Sequence, residues 1–191
     1  MTKPCDTIIT AAKVLTQDEN RSLLDNAAIA ITDGKLEAVG SKDEITSAYS
    51  AKETMDMPSS MLMPGLINAH THASMTVLRG LADDLPLMEW LEKHIWPVEQ
   101  KFTAKVVNLG ARLACAEMLR YGTTCFADMY LIEDEVGKAA EATGIRAWIG
   151  EGVFGFPSIA YADQDACWKV VEELDAKYKD NPRIRTAIMP H

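Results

Sequence analysis

The chain has 191 residues, of which 48% are hydrophobic, and it carries a formal net charge of −9. This length and composition suit one large globular domain or two small ones, each with a buried core. The negative charge, with a pI near 4.9, argues against nucleic acid or an anionic membrane surface as the main partner and favours a small molecule.

The four cysteines are widely spaced without a Cys-x-x-Cys pattern, and the amino terminus lacks the apolar core of a signal peptide. Both features favour buried thiols in a reducing cytoplasm. No apolar run approaches the roughly 20 residues that cross a bilayer, so we expect no membrane-spanning segment.

The first 60 residues have the patterns of a β-rich domain. Asp33-Gly34 predicts a hairpin turn, because both positions tolerate a positive φ. Ser41, followed three residues later by Glu44, predicts a capping box at the start of a short helix. The strands are expected at 6–10, 12–16, 28–32, 35–39 and 53–57.

From about residue 61 the pattern changes to alternating strands and helices, which we interpret as a domain boundary. A helical piece is expected at 86–95, and Thr103 and Gly122 are the expected ends of a long helix. The predicted core-facing side of that helix consists of Val106, Leu109, Leu113, Ala116 and Leu119. The remaining predicted elements are strands at 62–69, 123–128, 145–150 and 183–189, and helices at 133–143 and 163–178.

Four strands separated by three helical connections predict parallel strands joined by right-handed crossovers. This α/β series fits either half of an eight-stranded β/α barrel or a small doubly wound sheet. Polar residues at the expected carboxyl ends of the strands favour the barrel, where an active site lies at that end. These residues are His70, His72, Asp128, Glu151 and His191.

The apolar run that ends in His70-Thr71-His72 is the clearest chemical signal. Alternate side chains on a strand face the same way, so both imidazoles are expected on one side. Neutral imidazole is a ligand for zinc and for other divalent first-row metals, including nickel and iron(II). The motif supplies half of a tetrahedral ligand set.

The stretch Pro64-Gly65-Leu66-Ile67-Asn68-Ala69-His70-Thr71-His72 resembles the first barrel strand of the metal-dependent amidohydrolase superfamily. Stretches 75–91, 96–99, 121–124 and 126–130 are similar to the branch of 5-methylthioadenosine/S-adenosylhomocysteine deaminases. The resemblance implies the amino-terminal half of a (β/α)8 amidohydrolase barrel at 61–191, its first four β/α units. Residues 1–60 would form the amino-terminal part of a composite β-sandwich.

The resemblance also implies roles for individual residues. His70 and His72 would bind a divalent metal, most simply Zn²⁺, with Fe²⁺, Ni²⁺ or Mn²⁺ as alternatives. Trp90 would pack against the purine of a nucleoside substrate and Glu99 would accept hydrogen bonds from its ribose. His191 would contact the substrate near the reacting ring. The metal would activate water to attack the carbon that carries the amino group, so that ammonia leaves.

In the family, the remaining metal ligands and the catalytic carboxylate come from strands later than residue 191. We therefore expect the chain alone to bind metal weakly, to lack deaminase activity, and to form homo-oligomers or associate through an exposed barrel edge. Two alternatives stay open. The protein could act on another nitrogen heterocycle, such as guanine or a triazine, as an aminohydrolase or chlorohydrolase, or it could be an inactive binding or assembly module.

One position bears on the choice of substrate. Some deaminases of this branch carry an arginine, thought to pair with the carboxylate of S-adenosylhomocysteine, where this sequence has Glu151. Repulsion there would favour methylthioadenosine or adenosine, although Arg146 could compensate.

Overall fold

A computed structural model describes all residues from 1 to 191 and divides them into two compact units, Met1–Pro64 and Gly65–His191. None of its helices combines the length and the apolar character needed to span a bilayer. The proposed β-sandwich identity of the first unit stays a prediction.

The first unit is a four-stranded sheet in the order β3-β2-β1-β4, in which β1 is antiparallel to β2 and parallel to β4. The predicted hairpin is confirmed, with φ of 51° at Asp33 and 70° at Gly34. The capping box of Ser41 and Glu44 is confirmed as well. The elements are β1 (Lys3–Leu15), β2 (Leu23–Thr32), β3 (Lys35–Ser41), α1 (Lys42–Ala48) and β4 (Tyr49–Leu62).

The strands of this unit are longer than predicted: β2, for example, begins at Leu23 instead of at residue 28. The two strands predicted at 6–10 and 12–16 are one continuous strand, β1. Its pairing with β4 shifts register between Ala11 and Lys13, so the predicted break is a bulge. Strand β4 is also much longer than the predicted 53–57, because its backbone pairs with β1 along almost its whole length.

The second unit alternates strands and helices. A 3-10 helix, Ala73–Leu78, follows the first strand, and a π-helical turn, Leu91–Ile95, joins two short helices. The strands are β5 (Leu66–Thr71), β6 (Thr123–Tyr130), β7 (Arg146–Val153), β8 (Ile184–Thr186) and β9 (Met189–Pro190). The helices are α2 (Leu87–Trp90), α3 (Trp96–Glu99), α4 (Ala104–Arg120), α5 (Glu133–Thr143) and α6 (Gln164–Tyr178).

Every strand pair in this unit is parallel, and the sheet order β5-β6-β7-β8 follows the chain, with β9 beside β7. A doubly wound sheet would reverse its strand order at a switch point, whereas a barrel adds each strand beside the last. The structure therefore confirms the expected half-barrel. The single strand predicted at 183–189 is divided into β8 and β9.

The core of the second unit lies between the sheet and helices α4, α5 and α6. It includes Phe126 from β6, Ala147 and Ile149 from β7, and Ile184 from β8, all of them buried. Because side chains alternate along a strand, residues 126, 128 and 130 share one face of β6, and 147, 149 and 151 share one face of β7.

Helix α4 begins and ends as predicted, with Thr103 as its N-cap, but the predicted core-facing side was wrong. Leu109, Leu113 and Leu119 are exposed. The buried side consists of Val107, Gly110, Ala111, Ala114 and Cys115. Small residues let α4 approach its neighbours closely: a Cβ on Gly110 would lie 2.3 Å from the carbonyl oxygen of Ser74.

Candidate active site at the carboxyl edge of the sheet

The two imidazoles of the His-x-His motif lie side by side. Gly65 lets strand β5 begin against Thr124, which a Cβ there would meet at 2.3 Å. His70 lies near the end of β5 and His72 directly after it, and their ring centroids are 5.2 Å apart in an edge-to-face arrangement. The pairing of β5 with β6 shifts register between Asn68 and Thr71, at the point where the histidines emerge.

The ring of His72 is held in one tautomer by the backbone. Its Nδ1 contacts the carbonyl oxygen of Met129 on β6. A carbonyl oxygen only accepts, so Nδ1 must carry the proton and Nε2 keeps its lone pair. A backbone acceptor of this kind orients histidines that ligate metals. His72 therefore presents a free nitrogen beside His70.

A carboxylate lies next to this histidine pair. The Tyr130 hydroxyl donates a hydrogen bond to Glu99 Oε1, and the Tyr130 ring is 5.8 Å from that of His72. Glu99 is half-buried, and burial raises its pKa, an effect that the Tyr130 hydrogen bond and the nearby His72 oppose. Oε1 of Glu99 has a fixed donor, while Oε2 forms no hydrogen bond within the chain.

Trp90 lines an open cleft of about 550 Å³. Apolar side chains, among them Met75, Leu78 and Leu87, line it together with the acidic residues Asp83 and Asp84. The indole is part of a mixed apolar and polar surface of the kind that binds small molecules.

His191 follows strand β9, which pairs with the end of β7, so it lies at the carboxyl edge of the sheet as predicted. Its ring packs edge-to-face on Phe154, with centroids 5.1 Å apart. Its backbone N–H donates to the Val153 carbonyl at 3.1 Å, which fixes the backbone of His191 to strand β7. These contacts do not join His191 to the histidine pair.

Glu151 does not lie with these residues, and the prediction that it faces the substrate was wrong. It shares the helix-facing side of β7 with Ala147 and Ile149 and is 1% exposed. Its Oε1 accepts from the Ile132 N–H at 3.0 Å and its Oε2 from the Glu133 N–H at 2.9 Å. The carboxylate therefore caps helix α5 from outside the helix.

Asp128, which the sequence also placed among the polar strand ends, is buried on the same helix-facing side of the sheet. Its Oδ1 accepts a hydrogen bond from the N–H of Ala73 at 2.9 Å. Ala73 is the residue directly after His72. Asp128 supports the turn that follows the histidines and does not face the cleft.

The profile of the Amidohydrolase family matches residues 61–191. The chain belongs to the amidohydrolase family. It is 51% identical over 191 residues to a 5-methylthioadenosine/S-adenosylhomocysteine deaminase of Nitratidesulfovibrio vulgaris, a match that covers 100% of this chain and 43% of the relative. The chain thus spans less than half of the length of the curated relatives that it matches.

Two solved structures place the fold in context. An adenosine deaminase from Xanthomonas campestris with bound zinc superposes with a TM-score of 0.97 at 39% identity, over 100% of this chain and 44% of the other. An atrazine chlorohydrolase from Arthrobacter aurescens complexed with zinc has a TM-score of 0.85 at 24% identity, over 96% of this chain and 46% of the other. The second likeness concerns the fold alone.

The residues of this chain fit half of a metal site. His70 and His72 offer neighbouring imidazoles, and the tautomer of His72 leaves Nε2 free. No group of three or more His, Cys, Asp or Glu side chains has the geometry to hold a metal ion. A tetrahedral zinc ion would need further ligands beyond this pair.

Sequence reasoning missed Tyr130 and the buried carboxyl groups around α5. Tyr130 follows Asp128 by two residues on one strand, so strand alternation could have drawn attention to it. A second signal was the residue before α5: Ile132 has no side-chain oxygen to cap a helix, so an acceptor had to come from elsewhere in the fold.

Proposed function

We propose that this amidohydrolase chain supplies the amino-terminal half of the active site of a metal-dependent hydrolytic deaminase. The substrates we propose are adenine nucleosides: 5-methylthioadenosine, S-adenosylhomocysteine or adenosine. The observation that carries the proposal is the pair of imidazoles 5.2 Å apart, one of them held by Met129 in a tautomer that leaves Nε2 free for a metal. The names of the Nitratidesulfovibrio and Xanthomonas proteins support the nucleoside class.

The side chains of this chain have binding and orienting roles in the proposed reaction. A bound divalent cation would supply a water of lowered pKa as nucleophile. We propose Zn²⁺ for that cation, and Fe²⁺, Ni²⁺ and Mn²⁺ also accept nitrogen ligands. Trp90 would pack against the purine, and the free oxygen of Glu99 would accept from a ribose hydroxyl. His191 would contact the substrate near the reacting ring.

The buried position of Glu151 removes one constraint on the substrate. Its carboxylate is buried and bonded to the backbone of α5, so we expect no direct contact between it and the amino-acid carboxylate of S-adenosylhomocysteine. All three adenine nucleosides therefore stay in the proposal on equal terms.

The chain alone is expected to be inactive, because two imidazoles are half of a zinc ligand set. Association of copies through the barrel edge remains part of the proposal.

Metal binding by the chain tests the proposed ligands directly. Titration with Zn²⁺, followed by calorimetry, should reveal a weak site that His70→Ala or His72→Ala weakens by at least about tenfold, as expected for loss of one of two ligands. His94→Ala is the matched control, because His94 lies in the π-helical turn outside the pair. Equal binding by all three variants would contradict the assignment.

Complementation tests the activity. The chain would be co-expressed with the carboxyl-terminal part of the Nitratidesulfovibrio relative that lies beyond the matched region. We expect ammonia release from methylthioadenosine, S-adenosylhomocysteine or adenosine, and none from the chain alone. Turnover of guanine or a triazine instead would favour the other heterocycle hydrolases. A folded, metal-loaded assembly without turnover would favour a binding module.

A further inference from the structure

Three carboxyl groups are buried together on the helix-facing side of the parallel sheet. They belong to Asp128 on β6, Glu133 at the start of α5 and Glu151 on β7, which are 0%, 0% and 1% exposed. None of them forms an ion pair with a lysine, arginine or histidine. Buried carboxylates without a cation require hydrogen-bond donors.

Backbone N–H groups satisfy part of this cluster. Glu151 accepts from the Ile132 and Glu133 N–H groups at the start of α5, and the positive end of that helix stabilises its charge. Asp128 Oδ1 accepts from the Ala73 N–H. These bonds account for both oxygens of Glu151 and for one of Asp128.

The remaining three oxygens have no donor: Oδ2 of Asp128 and both oxygens of Glu133. Burial raises the pKa of both Asp128 and Glu133, and hydrogen bonding between the two carboxyl groups lowers the pKa of Asp128 and raises that of Glu133. Two ionised carboxylates in this position would repel each other, and neither can donate. A single proton shared between them removes the repulsion and supplies the missing donor.

We propose that Glu133 is a protonated carboxylic acid that donates a hydrogen bond to Oδ2 of Asp128, and that this pair positions the turn after His72. The proton belongs on Glu133 because Asp128 accepts a backbone hydrogen bond of normal geometry from the Ala73 N–H at 2.9 Å, which favours its charged form, whereas no hydrogen bond of that geometry reaches either oxygen of Glu133. Complete burial also raises the pKa of Glu133 well above its usual value and outweighs the opposing effect of the nearby Gly150 backbone.

The consequence for the site runs through the backbone. A charged acceptor makes a stronger hydrogen bond than a neutral one, so Asp128 holds the Ala73 N–H firmly if Glu133 carries the proton. Ala73 directly follows His72, and the next residue, Ser74, donates to the Val107 carbonyl of α4 at 3.1 Å. Glu133 is thus a positioning residue that acts on His72 without touching a ligand. Only this last step rests on the proposed function.

Infrared spectroscopy tests the protonation state in the 191-residue chain. At a pH of about 8, above the pKa of about 7 for Asp128 and Glu151, we expect the C=O stretching band of a buried carboxylic acid. The band should disappear in Glu133→Gln and persist in Glu172→Gln, a control at an exposed position on α6. Absence of the band in the unmodified chain, or its survival in Glu133→Gln, would overturn the proposal.

Amide hydrogen exchange at Ala73 tests the positioning role. Glu133→Gln keeps a donor toward Asp128, so exchange should change by less than about threefold, whereas Glu133→Leu removes it and should accelerate exchange by at least about tenfold. Equal acceleration in both variants would show that a charge on Glu133 is required and would overturn the proposal. If the Leu variant fails to fold, the infrared comparison still decides. If the unmodified chain shows the infrared band but binds no zinc, that result would count against the proposed function and not against this inference.

Discussion

At the scale of single residues, the site depends on contacts that fix one atom of a side chain and free another. Met129 occupies Nδ1 of His72, and Tyr130 occupies Oε1 of Glu99. In each case the other nitrogen or oxygen keeps its lone pairs, and we propose that it contacts the metal or the substrate. Neither contact could be predicted from sequence, because each joins residues far apart in the chain that meet only in the folded sheet.

The contact between Tyr130 and Glu99 leads to a prediction on ligand binding. In the complemented assembly, Tyr130→Phe should weaken the affinity for methylthioadenosine about tenfold, because a hydrogen bond to a charged group contributes roughly 1.5 kcal/mol or more. Calorimetry with an inactive metal-free assembly measures the affinity. Tyr121→Phe is the control, since Tyr121 is 75% exposed. Unchanged affinity in Tyr130→Phe would show that Glu99 needs no fixed orientation.

Residue identity alone predicted part of the candidate site. The spacing of His70 and His72 placed both rings on one side of a strand, and the structure brings them together. Glu151 has the same polar character at a strand end but faces the helices. Strand-end position tells which edge of the sheet a residue lies near, whereas the face depends on register, which a single sequence leaves open.

At the scale of elements, helix α4 shows what periodicity could and could not predict. Thr103 and Gly122 marked its ends, because capping chemistry is local. The buried face was missed because the larger leucines suggested a core, whereas α4 buries Gly110, Ala111 and Ala114, and Gly110 lies against Ser74 of the 3-10 helix. At Gly110 the short distance between backbones, and not hydrophobicity, decides which residue is buried.

The close approach at Gly110 predicts a stability effect. Gly110→Ala would place a Cβ 2.3 Å from the Ser74 carbonyl oxygen, so α4 must move away from the turn that follows His72. We expect a loss of about 1–3 kcal/mol despite the higher helix propensity of alanine. Urea unfolding followed by tryptophan fluorescence measures it, because all four tryptophans lie in the second unit.

Gly155→Ala is the matched control for that experiment. A Cβ there would meet no atom within 4 Å, so its unfolding free energy should stay within about 0.5 kcal/mol of the unmodified chain. A Gly110→Ala chain as stable as this control would contradict the packing of α4 on Ser74.

At the scale of the whole chain, the parallel sheet was predictable and the arrangement of charge was not. Alternating β and α segments already predicted parallel strands, whereas the order β5-β6-β7-β8, which distinguishes a barrel from a doubly wound sheet, came from the structure. The sheet separates two kinds of polar group. The histidine pair lies at its carboxyl edge, while Asp128, Glu133 and Glu151 are sealed beneath its helices. Burial, which changes protonation, is a property of the assembled fold.

The buried acids predict how stability depends on pH. Burial raises the pKa of Glu151 to about 7 from 4.5. Between these values the folded chain keeps a proton that the unfolded chain releases, so the unfolding free energy falls as pH rises, by roughly 1.4 kcal/mol per pH unit for this group. Its stabilising contribution is complete below pH 4.5 and is lost as pH passes 7.

Replacement of Glu151 by glutamine isolates that contribution. Glutamine is neutral throughout and keeps one acceptor oxygen for the start of α5, so the Glu151→Gln chain should lose stability less steeply between pH 4.5 and 7. The difference in slope should approach roughly 1.4 kcal/mol per pH unit, measured by urea unfolding with tryptophan fluorescence at several pH values. Glu172→Gln, at an exposed position on α6, should run parallel to the unmodified chain. If Glu151→Gln also runs parallel, Glu151 is ionised across the whole range and the capping bonds to Ile132 and Glu133 outweigh its burial.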